Sequence, residues 1–77
     1  MNKSFYEDLG IRIKNIKDKA TKNIYNKEVL IKEIENIENI LKNTTIIHIK
    51  EKDYWNRTHK YLLEVKNFIK KQQWYFY

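Results

Sequence analysis

Apolar side chains recur at steps of three and four over three stretches of this chain, and no proline interrupts any of them. That period puts one apolar stripe on each of three helices, and stripes of this kind are hidden most simply by packing helix against helix. The fold class expected is therefore all-α: a small three-helix bundle, standing alone or as a dimer, formed by residues 1–77 as a single helical domain. A chain of 77 residues has room for one core and not for two.

The first stretch, from Ser4 to Ala20, carries Phe5, Leu9, Ile13, Ile16 and Ala20 on its stripe. Ser4 is expected to cap it, with Glu7 three residues on as the acid of a capping box. Gly10 lies inside the pattern at a propensity cost of about 1 kcal/mol relative to alanine. Ile11 falls off the stripe and either widens the buried face or marks a second contact. A polar connection follows at Thr21 to Asn26.

The second stretch, Lys27 to Lys42, is the most regular. Leu30, Ile34, Ile37 and Leu41 form its face, flanked by Ile31 and Ile40, and Glu28 with Lys32 and Glu38 with Lys42 stand in the favourable acid-before-base order. The third is expected to start at Asp53 as N-cap and to run to about Gln72, with Tyr54, Trp55, Thr58, Tyr61, Leu62, Val65, Phe68 and Ile69 on a broad stripe.

Between the second and third stretches lies Thr44-Thr45-Ile46-Ile47-His48-Ile49, which is β-branched and ambiguous. A lone strand would leave an unsatisfied edge unless it paired with its copy in a dimer. The expectation for residues 44–49 is a helix extension or an extended linker packed by its isoleucines.

Composition narrows function by exclusion. The absence of cysteine removes disulfides and thiolate metal sites. The single glycine leaves no phosphate-binding loop, and the lone serine, Ser4, is better used as a cap than as a nucleophile. His48 sits among isoleucines and is expected to be a partly buried side chain; His59 follows Trp55 by one turn and is expected to pack. The acids Glu28, Glu33, Glu35 and Glu38 read as a solvated helix face rather than paired catalytic carboxylates. No enzyme activity, cofactor or metal is expected. No run approaches the roughly 20 apolar residues of a membrane span, and the start lacks the apolar run of a secretion signal, so a cytoplasmic location is expected.

What remains is binding. The formal net charge is +6, with lysine outnumbering arginine 14 to 2, and the two ends of the sequence are basic while its middle is neutral. The abundance of lysine, asparagine and isoleucine can come from genome composition, so lysine count alone says little about purpose. The chain closes on Trp74, Tyr75, Phe76 and Tyr77, more aromatic surface in succession than one helix stripe can hide. With Lys70 and Lys71 they form the candidate protein-binding residues, unless they complete the core. Lys14, Lys17, Lys19, Lys22, Arg57, Lys60 and Lys66 are the candidate nucleic-acid-binding residues, able to neutralise phosphates without reading bases. No helix-turn-helix spacing supports sequence-specific reading. The leading expectation is thus a small adaptor, inhibitor or regulator that docks on a larger or acidic protein, or on its own copy, through aromatic and basic surface. The alternative is a weakly sequence-specific nucleic-acid binder, and a membrane surface ranks below both.

Overall fold

The computed structural model describes residues 3–22 and 26–71, and within them the chain forms three helices and no strand: α1 (Lys3–Lys22), α2 (Lys27–Lys42) and α3 (Ile49–Lys71). The expected three-helix bundle is the observed fold. Its core consists of Tyr6, Leu9, Ile13, Ile16 and Ala20 from α1, Leu30, Ile34, Ile37 and Leu41 from α2, and Leu62, Val65 and Ile69 from α3. Each fully buried leucine or isoleucine contributes about 1.5–3 kcal/mol by leaving water.

Side-chain contacts fix the direction of each helix. Tyr6, near the start of α1, stacks on Tyr54 near the start of α3, with ring centroids 6.2 Å apart. The Trp55 indole Nε1 donates to the Leu41 carbonyl at 2.8 Å, joining the start of α3 to the end of α2. At the other end, Lys27 Nζ donates to the Lys70 carbonyl at 3.4 Å. α1 and α3 are therefore parallel, and α2 runs against both.

α2 begins and ends where its sequence pattern does. The Asn26 side chain accepts from the Glu28 N–H at 2.8 Å, and the Asn43 N–H closes the last turn on the Asn39 carbonyl at 3.0 Å. α1 differs from expectation at its start. Ser4 is helical rather than the cap, and the buried slot belongs to Tyr6, while Phe5 is half-buried. A stripe that passes through Leu9, Ile13 and Ile16 reaches position 6 by a step of three and position 5 by a step of four. The slot goes to Tyr6 because its hydroxyl has a buried partner.

That partner corrects the third helix as well. α3 begins at Ile49, ahead of the expected Asp53, and Asp53 is an exposed residue inside its second turn. The extra turn forms because Glu51 is buried, at 2% exposure, and both its oxygens are used: Oε1 accepts from the Tyr6 hydroxyl at 3.2 Å and Oε2 from the Ile47 N–H at 3.5 Å. Residues 44–48 form neither helix nor strand, so the stretch is a linker, but its isoleucines do not pack it. Ile46, Ile47 and Ile49 are 38%, 78% and 85% exposed. The physical reason is that polar contacts hold this connector, so no apolar burial is needed to place it.

Candidate functional site

The connector and the helix turns beside it make one end of the bundle, here termed the apex. Its shape is set by hydrogen bonds at the two ends of the connector. The Thr44 hydroxyl donates to the Ile40 carbonyl at 2.6 Å and the Thr44 N–H to the Leu41 carbonyl at 3.1 Å, so the chain leaves α2 in a fixed direction. Trp55 holds the same Leu41 carbonyl from the side. The Glu51 carboxyl group reaches back to Ile47, upstream of its own helix, in the manner of a capping box shifted by one residue.

Tyr6 anchors this arrangement from α1. Its hydroxyl pKa is pushed up to about 12, first by burial, then by the hydrogen bond to Glu51 and the negative charge of that group. Phe5 meets Tyr6 edge-on at 5.0 Å between ring centroids, adding a half-buried aromatic beside the pair.

With Glu51 turned inward, the surface of the apex is formed by Ile46, Ile47 and Ile49 together with the exposed Lys42, His48, Lys50 and Lys52. The expectation of a partly buried His48 is corrected: it stands exposed at the bend that opens α3. His59 does pack, its ring 4.8 Å from that of Trp55. The two histidines, separated by about 16 Å along the helix rise, cannot share one ion. Among the described residues no group of three His, Cys, Asp or Glu side chains is placed to hold a metal.

A shallow hollow of about 380 Å³ between α2 and α3 is lined by Glu38, Asn39, Lys42, Trp55 and His59. Two of its polar groups are committed elsewhere. Glu38 is ion-paired with Lys66 at 3.3 Å and the Trp55 N–H is spent on Leu41. Glu35 and Glu38 line different hollows, so these two carboxylates do not face one cleft.

The basic candidates divide. Lys14, Lys17 and Lys22 are exposed along α1 and Lys19 is half-buried. Arg57 and Lys60 are exposed on the first half of α3, while Lys66 is held by Glu38. Because α1 and α3 are parallel, Lys17, Lys19 and Lys22 come to the same end of the bundle as Lys66, Lys70 and Lys71, and Arg57 does not join them. Trp74, Tyr75, Phe76 and Tyr77 lie outside the described residues.

Tyr6, Glu51 and the exposed isoleucines are the site residues that sequence reasoning passed over. One signal was present. Thr58, Trp55 and Tyr54 continued backwards by helical steps lead to position 51, where a charged residue concealed the continuation of the stripe.

Comparison with protein-family models, with curated proteins and with solved structures returned no match. Among the described residues, no helix is long and apolar enough to cross a membrane.

Proposed function

We propose that this chain is a small non-enzymatic binding module, an adaptor, inhibitor or regulator, that works in the cytoplasm by docking its apex on a larger protein. The observation that carries this reading is the exposure of Ile46, Ile47 and Ile49 on a connector held by hydrogen bonds. Together they leave about two isoleucine side chains' worth of apolar surface in water, whose burial would supply up to about 3–6 kcal/mol before the costs of association. A segment already fixed in shape loses little freedom when it binds, so more of that gain survives as affinity.

Charge leaves the partner less constrained. Lys42, Lys50 and Lys52 are exposed at the same end as the isoleucines, but so are Glu7, Asp8 and Asp53, while Glu51 points into the protein. The matching surface is an apolar recess with a border of mixed charge, in which the isoleucines provide affinity.

The test is the double substitution Ile47→Asp with Ile49→Asp, which alters only exposed side chains. Partners cross-linked to the wild-type chain in its own cell extract should be lost from this variant and kept by Lys70→Gln/Lys71→Gln, with helicity unchanged in both. Retention of every partner by the aspartate variant would remove the apex from the interaction. Sedimentation of the pure wild-type chain determines whether the occupant is instead a second copy.

A further inference from the structure

The end of the bundle opposite the apex has a different chemistry. Over the last six residues of α1, the first six of α2 and the last six of α3, eight lysines stand with two acids, Asp18 and Glu28. The corresponding stretches at the apex hold four lysines and five acids, one of which, Glu38, reaches Lys66 of the basic end. A lysine bias of genomic origin would load both ends alike; this one does not. The topology creates the contrast, since parallel α1 and α3 bring together lysines far apart in sequence and α2 adds its own first turns.

Five of those lysines, Lys17, Lys22, Lys32, Lys70 and Lys71, are exposed. Lys27 and Lys66 are engaged with the Lys70 carbonyl and with Glu38. Some of this charge offsets helix dipoles. Two helix C-termini and one N-terminus sum to about half a negative charge, which leaves an excess of two to three positive charges on the exposed side chains even after Asp18 and Glu28 are counted.

We infer that this end is a docking surface for the phosphate backbone of nucleic acid, held without regard to sequence. Across its long axis the bundle measures 17 × 15 Å. A duplex carries one charge per about 1.7 Å of axis with both strands counted, so a length equal to that width carries about nine phosphate charges, of which those on the near side face the lysines. A patch of equal size on a protein surface that intersperses both signs offers a lower density. Lysine ammonium groups act as point charges on phosphates and lack the planar fork that reads guanine, which makes the contact one of backbone rather than bases. The chain would then join nucleic acid at one end to its protein partner at the other, although the basic end stands on its own observations and does not depend on the apex.

The experiment is fluorescence anisotropy of a random duplex of about 20 base pairs titrated with the full chain between about 50 and 200 mM salt. Three to four phosphate contacts predict that affinity falls about 100-fold over that range. The variant Lys22→Gln/Lys70→Gln/Lys71→Gln should flatten the slope of log affinity against log salt by about 2–3. A control at the apex, Lys3→Gln/Lys50→Gln/Lys52→Gln, should leave the slope unchanged, as should Ile47→Asp/Ile49→Asp. Circular dichroism verifies that each variant keeps its helices. Absence of binding at the lowest salt, or equal loss in the apex control, would overturn the inference. Tighter binding to polyglutamate than to the duplex would overturn it in favour of an acidic protein.

Discussion

The apex and the basic end are built from the same three helices but held in different ways. At the apex, Tyr6, Thr44, Glu51 and Trp55 each make a specific hydrogen bond that fixes the course of the backbone. At the basic end Lys27 donates to the Lys70 carbonyl and Lys66 pairs with Glu38, and the surface is made largely by like charges that repel one another. The difference teaches that shape is specified where aliphatic side chains are displayed, whereas the lysine surface needs only to be brought together. Shape matters for an apolar dock, and charge density for an electrostatic one.

The largest expected effect tests whether the two ends are one folding unit. Ile34 is fully buried in the middle of α2, and Ile34→Ala should cost about 2–5 kcal/mol in chemical denaturation, with both ends unfolding in one transition. Separate transitions would break the comparison into two independent regions. Tyr6→Phe comes next, at about 1–3 kcal/mol, because it leaves Glu51 buried without its hydroxyl partner. Hydrogen exchange should show faster opening at Ile47 to Glu51 than in the wild type, with little change at Lys27 to Lys32; uniform loosening would deny the apex its separate control.

The same tyrosine gives the apex a response to alkali. An unfolded tyrosine ionises near pH 10 and the folded Tyr6 at about 12, so the folded state holds its proton longer. That contribution is fully present below about pH 10 and is lost as pH rises towards about 12. Wild-type stability should therefore fall more steeply over that window than that of Tyr6→Phe, as followed by urea midpoints; parallel curves would contradict it. Gly10→Ala should stabilise by about 0.5–1 kcal/mol, since a methyl group there meets nothing within 4 Å and the helix loses a flexible residue; a lowered midpoint would show a cost hidden in α1. The smallest effect belongs to Lys66→Ala, which breaks a partly exposed ion pair with Glu38 worth up to about 1 kcal/mol and weakening with salt. A larger loss at high salt would mean that Lys66 acts through packing.

Much of the fold was legible in the residues. α2 could be read to both ends because its stripe is unbroken and asparagines flank it at positions 26 and 43. The parts that were not legible share a cause. Tyr6 and Glu51 occupy core positions as a mutually satisfied polar pair, and a reading based on apolar periodicity counts a glutamate as surface. Once Glu51 is placed outside, α3 loses its first turn and the isoleucines before it look like packing material. The candidate surface was legible in composition but not in position, because helix direction decides which lysines meet. Lys70 and Lys71, which stand beside the aromatic tail in the sequence, share an end of the bundle with Lys17 and Lys22.

Because the helices among the described residues number three, Lys3 and Lys71 lie at opposite extremes of the bundle. Tension between those points would slide the helices past one another, so many side-chain contacts must yield together instead of peeling apart in turn. A protein gripped at both extremes would behave as a short stiff strut, and optical-trap handles at those two residues would read its resistance directly.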